Sequence, residues 1–126
     1  MIITGIHHIS MKCGNREEFD RAKDFYLNVL GLSLKREWAG GIMIDTGIGL
    51  MEIFKTGGDD RGQGVIRHFA LASDNVDEIV EKVKAAGYNV FIGPADIVIE
   101  SDPPFPARMA FCFGPIGEEI EFFQER

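Results

Sequence analysis

The sequence predicts an α+β fold made of two tandem β-α-β-β-β modules that together form a metal-binding cleft. Three observations carry the prediction. "GIHHISM" near the start and "VIRHFAL" at 65–71 share the order apolar, any residue, His, apolar, small, apolar. Each is followed by an Asn with a Glu three residues on, Asn15/Glu18 and Asn75/Glu78, the signature of a helix N-terminus. Each module then closes on Glu-x-Phe, at Glu52 and at Glu121. His68 follows His8 by 60 residues and Asn75 follows Asn15 by the same 60, whereas Glu121 follows Glu52 by 69. The second module therefore carries nine extra residues, expected in "GPADIVIESDPPFPAR" (93–108), within which "SDPPFP" (101–106) reads as a long, proline-stiffened loop at the rim of a site.

The elements follow in order. Residues 2–12 read as a strand rich in Ile. A helix over about 16–30 is expected, because Phe19, Ala22, Tyr26, Val29 and Leu30 recur at spacings that share one face, and Gly31 ends it. Three short strands, about 33–38, 42–46 and 50–55, are separated by "AGG" and "GIG" turns. The polar "KTGGDDRGQG" (55–64) links the modules. The programme restarts with a strand at about 65–73 and a helix whose Val76, Ile79, Val80, Val83 and Ala86 share a face, stopped by Gly87. Strands at about 89–93, 108–113 and 119–124 complete it. The whole reads as a single domain, 1–126, with module one at about 1–55 and module two at about 65–126.

Composition removes several classes of function. At 126 residues the chain can bury a core, and its 45% hydrophobic and 26% charged residues are those of a globular protein. The formal charge is −7 without a basic run, which argues against a nucleic-acid partner. No apolar run approaches the roughly 18 residues of a membrane span. Cys13 and Cys112 stand alone, outside any CxxC or CxxH pair, and no targeting segment precedes the first strand. That combination is expected of a cytoplasmic protein.

Alternation along the strands selects the candidate site. Ile6, His8 and Ser10 form one row of the first strand, and Ile66, His68 and Ala70 form its counterpart. The opposite row is bulky and suited to packing under a helix, with His7 at its polar end and Arg67 at the equivalent place. Glu52 and Glu121 stand between apolar residues in their strands, where a carboxylate is costly unless paired or bound to a metal. A single His or Glu at such a place is ordinary strand structure; four in register across a repeat are not. If the modules pair about a pseudo-twofold axis, His8, Glu52, His68 and Glu121 converge on one cleft. Two neutral imidazoles and two carboxylates suit one divalent ion, with Ni, Zn, Co, Mn and Fe undistinguished.

These features resemble the vicinal oxygen chelate (glyoxalase/bleomycin resistance/dioxygenase) superfamily. "IHHISM" is similar to its opening strand, "FYLNVLGL" (25–32) to the end of its first helix, and "GPIGEEIEFF" (114–123) to its closing turn and strand. The His-Glu-His-Glu set most resembles glyoxalase I (lactoylglutathione lyase), although the closing turn reads Gly114-Pro115-Ile116-Gly117 where Asp-Pro-Asp-Gly is usual. The resemblance implies isomerisation of a methylglyoxal–thiol hemithioacetal to a 2-hydroxyacyl thioester through an enediolate. It implies Glu121 as the proton shuttle with Glu52 as its partner, glutathione or another thiol as co-substrate, and a homodimer.

Further contacts remain two-sided. The row Met109, Phe111 and Phe113 is bulky and expected under the helix, which turns Arg108, Ala110 and Cys112 to the cleft. Arg108 and Lys12 would then hold a substrate anion or form surface ion pairs. Trp38 and Phe54 would line a pocket or belong to the core. Competing with the lyase are another metal-dependent isomerase or epimerase, and a small-molecule binding or resistance protein.

Overall fold

Each half of the chain folds into a four-stranded sheet with a helix against one face. The computed structural model describes all residues except 1, 3, 59–61, 63 and 65. It divides into two units, Met1–Arg61 and Gly62–Arg126, with the boundary inside the expected link.

The first unit contains β1 (His8–Lys12), α1 (Arg16–Asp24), β2 (Ser33–Trp38), β3 (Gly41–Asp45) and β4 (Leu50–Phe54). Its sheet order is β1-β4-β3-β2, with β1 parallel to β4 and the other pairs antiparallel. Asn15 caps α1, its Oδ1 accepting the Glu18 N–H at 2.9 Å. The Glu18 carboxylate accepts the Gly14 N–H, one residue earlier than a standard capping box. The helix continues through a wider turn over Phe25–Val29, where Leu30 N–H reaches the Phe25 carbonyl five residues back. Gly31, at φ +74°, takes the left-handed conformation that ends it. Phe19, Ala22, Phe25 and Tyr26 of this helical body are buried, as are Ile42, Ile44, Met51 and Ile53 of the sheet. Burial of one such large side chain stabilises the fold by about 1.5–3 kcal/mol. Lys23 reaches Glu37 at 2.9 Å, tying α1 to β2.

The second unit repeats this plan with β5 (Phe69–Ala72), α2 (Val76–Ala85), β6 (Val90–Ile99), β7 (Phe105–Phe113) and β8 (Glu119–Glu125). Its order is β5-β8-β7-β6, again with the outer pair β5/β8 parallel. Asn75 Oδ1 accepts the Glu78 N–H at 3.1 Å, and Gly87 at φ +89° follows the helix end. The register is conserved between units: Ser10 stands opposite Glu52, and Ala70 opposite Glu121.

The insertion at 93–108 is mostly hairpin, with the loop reduced to 100–104. Its residues lengthen β6 and β7 to 10 and 9 residues, against 6 and 5 for β2 and β3. Pro94 does not break the strand because the ladder is already interrupted there, between Ile92 and Ala95. Gly93 makes the bulge possible. Its φ is +77°, and a Cβ would lie 2.5 Å from the Met109 carbonyl oxygen. The first strand is also shorter than expected, because pairing with β4 begins only at His8. In the second unit, pairing with β8 begins at Phe69.

Candidate metal centre

Parallel pairing of the first and last strands brings one His and one Glu together in each unit. In the first, His8 Nε2 lies 3.8 Å from Glu52 Oε1; in the second, His68 Nε2 lies 3.4 Å from Glu121 Oε1. The side-chain exposures are nearly the same, 39% and 15% for the first pair and 40% and 14% for the second. Each pair thus has a mostly covered carboxylate and an imidazole open to solvent. No Lys or Arg among the described residues forms an ion pair with either carboxylate. Among the described residues no three His, Cys, Asp or Glu donors come together. Within each unit, the structure brings one expected ligand His beside one expected ligand Glu.

The donor set fits a divalent cation. Bonds of about 2.0–2.2 Å at tetrahedral or octahedral angles hold two donors of one ion about 3.0–3.5 Å apart. The observed spacings match this within a few tenths of an ångström. A mostly covered carboxylate with no Lys or Arg paired to it among the described residues also suits a cation, which supplies a compensating charge.

The surrounding faces differ from expectation in one respect. In the first unit, Lys12 pairs with Phe54 and Trp38 with Gly41, which itself pairs with Phe54. Lys12, Trp38 and Phe54 therefore share the His8 and Glu52 face. Trp38 and Phe54 meet edge to face at 6.1 Å. Gly41 leaves room for this, since a Cβ there would lie 3.1 Å from the Trp38 ring. The stem of Lys12 lies against Gly57.

In the second unit the two rows of β7 are exchanged relative to the sequence reading. Ala110 and Cys112 are fully buried on the α2 side, whereas Met109, Phe111 and Phe113 pair with Phe123, Glu121 and Glu119 on the open face. Arg108 is accordingly not beside the His68/Glu121 pair. It pairs with Gln124, whose side chain accepts the Val76 N–H of α2. Its guanidinium donates two bonds to Asp77, at 2.7 and 2.8 Å, and one to Asp96 at 3.1 Å. Those hydrogen bonds hold the Asp77 carboxyl below its usual value and raise Arg108 further. The surface ion-pair alternative is the one observed. Burial pushes the Cys112 thiol up to about 12, so it is no nucleophile at neutral pH.

The exchange turns an aromatic row toward the second pair. The Phe111 and His68 rings form a T-shaped pair at 5.0 Å, Phe91 stacks on Phe113 at 4.3 Å, and Phe105 stacks on Phe123 at 6.0 Å. Sequence reasoning missed these groups. Aligning "GIMID" (41–45) on "MAFCF" (109–113) places Ile42 and Ile44 with Ala110 and Cys112, a signal that would have found them. On the same face, a groove of about 480 Å³ is lined by Ala70, Ala72 and Phe123, with Asp74 and Glu125 among its acidic groups.

Comparison with known proteins agrees with this architecture. The model of the Glyoxalase/Bleomycin resistance protein/Dioxygenase superfamily matches residues 5–122. The chain belongs to that superfamily. No curated protein matches it by sequence. Among solved structures it is similar to an antibiotic binding protein from Streptomyces sp. CB03234, at 21% identity over 100% of this chain and 99% of that one, with TM-score 0.75. It is similar to a glyoxalase/bleomycin resistance protein/dioxygenase from Alicyclobacillus acidocaldarius, at 19% identity over 96% and 91%, with TM-score 0.68. It is also similar to a lactoylglutathione lyase from Agrobacterium tumefaciens, at 16% identity over 97% and 94%, with TM-score 0.65. At these identities the likeness is one of fold.

Proposed function

We propose that the protein is a metal-dependent, glyoxalase I-like lyase that isomerises a methylglyoxal–thiol hemithioacetal to a 2-hydroxyacyl thioester. In this reading His8, Glu52, His68 and Glu121 together ligate one divalent ion. The observation that carries it is the repetition of one His–Glu pair in both units, with the same strand register and the same exposure. A divalent ion held by these four residues would supply Lewis acidity to the substrate. Glu121 takes the proton from the carbon bearing sulfur and returns it to the neighbouring carbon, so no oxidant or reductant is consumed. Glu52 is its partner in the other unit. The thiol is glutathione or another small thiol, and the working protein is a homodimer.

The test is turnover of methylglyoxal hemithioacetal by stripped protein reloaded separately with Ni, Co, Zn and Mn, using glutathione and a second small thiol. Turnover that depends on the ion is the expected result. Its absence from folded, metal-loaded protein would overturn this activity. A second reading, binding of a small molecule without turnover, is favoured by the aromatic row beside His68. It predicts ligand affinity that survives Glu121→Gln.

A further inference from the structure

The two imidazoles are seated by different neighbours. Arg67 occupies the place before His68 that His7 occupies before His8, and the His68 ring packs against Phe111 in a T-shaped contact. His8 has a hydrogen-bonding partner instead. Its Nδ1 lies 2.9 Å from Nδ1 of His7, with the two rings nearly perpendicular at 85°. His7 was expected at the end of the helix-packing row, but it precedes β1 and is exposed beside His8.

Two ring nitrogens at hydrogen-bond distance share one hydrogen, so one donates and the other accepts. The nitrogen His8 turns toward Glu52 is Nε2. A lone pair for a cation at Nε2 requires the hydrogen of neutral His8 to reside on Nδ1. Nδ1–H then donates to His7, whose own hydrogen sits on Nε2.

We infer that His7 is a positioning residue, holding His8 in the Nδ1–H tautomer and fixing its ring so that Nε2 faces a divalent cation. The inference rests on the metal reading above. His7 touches neither the ion nor substrate. The Arg67 side chain carries no acceptor, and among the described residues His68 has a T-shaped ring contact with Phe111 in place of a neighbouring imidazole. The two halves of one ligand set are thus oriented by different means.

The experiment is a competition titration of zinc against a chelating dye, using the full chain with His7→Leu, His7→Gln and, for reference, His8→Leu. It is joined to nitrogen NMR of the imidazoles in metal-free protein. His7→Leu is expected to weaken zinc binding by about 10–100-fold, the usual effect of removing a partner of a ligating His. His7→Gln keeps an acceptor oxygen and should restore affinity to within a few-fold of wild type. The metal-free wild type should show His8 hydrogenated at Nδ1, and His7→Leu should lose that preference.

Unchanged affinity in His7→Leu would overturn the inference. So would His8 hydrogenated at Nε2 in the wild type. A loss as complete as that of His8→Leu in both His7 variants would make His7 a ligand, and would overturn it too. A wild type that binds no divalent ion sinks the metal reading along with this one. A wild type and a His7→Leu variant that bind equally well sink this one alone.

Discussion

The two units use the same strand register to hold the same His–Glu pair, but they fill the space between helix and sheet differently. In the first, aromatic groups of the helical body (Phe19, Phe25 and Tyr26) and large aliphatic groups of the sheet (Ile42 and Ile44) are buried. In the second, α2 contributes Val76, Val80 and Val83, the facing positions of β7 are Ala110 and Cys112, and the phenylalanines of β7 lie on the opposite face. Register and volume are therefore independent variables in this fold. Backbone pairing alone positions His8 over Glu52 and His68 near Glu121. How much side chain lies on each face is free to change, and with it the surroundings of the pair.

The largest expected effect tests whether the two pairs are chemically equivalent. Glu121→Gln should lower hemithioacetal turnover by about 10²–10⁴-fold, the range for loss of a general base, with a smaller loss in Glu52→Gln. Steady-state rates of zinc- or nickel-loaded variants check this. Equal losses would make the pairs interchangeable and remove the asymmetric assignment.

Next comes the contrast between the cores. Ile44 is fully buried, so Ile44→Ala should destabilise by about 2–5 kcal/mol. Cys112, its counterpart, loses a single sulfur atom on replacement by Ala, and the cost should stay near about 1 kcal/mol. Urea denaturation of the two variants decides the matter. Similar midpoints would mean that the second core depends on Cys112 more than its volume indicates.

A smaller effect concerns the open faces. Phe111→Ala removes the T-shaped ring contact with His68 and should weaken binding of aromatic ligands by about 2–10-fold, the value of one aromatic pair. Trp38→Ala should do the same from the first unit, where the Trp38 ring contacts Phe54. Equilibrium binding of a fluorescent aromatic probe would show it, and unchanged affinity in both variants would remove the aromatic faces from ligand recognition.

The smallest effect is expected at Arg108. Arg108→Leu should lower the Tm without changing kcat or KM, because its partners are Asp77 and Asp96 rather than substrate. The Asp77 carboxyl is lowered in the folded state, so its pairing stabilises the protein above its ordinary value of 3.8 and is lost as pH falls through the lower folded value. The Tm difference between wild type and variant should therefore narrow below about pH 3.8. A KM that rises with an unchanged Tm would return Arg108 to the substrate.

Much of this was legible in the chain. The repeat offsets put His8 and His68, and Glu52 and Glu121, at equivalent places, because a period-2 strand has only two rows and a repeat marks the same row twice. Asn15 and Asn75 announced both helix starts, since capping is a local interaction with a partner three residues away. Two features were misread. The proline-rich stretch at 93–108 extended a hairpin, because an interruption of the ladder at Gly93 accommodates what a regular strand cannot. The rows of β7 were exchanged, because size alone assigned Phe111 to the helix side.

Local rules thus specified the repeat, the helix ends and the row on which each His and Glu stands, since all of these depend on neighbours within a few residues or on pairing along one strand. Which row of β7 turns inward is not a local quantity. Alternation separates two faces without naming the inner one, and the choice depends on the volume that α2 and β8 leave between them. Here that space admits alanine and cysteine, and the phenylalanines that it excludes line the His68 and Glu121 face.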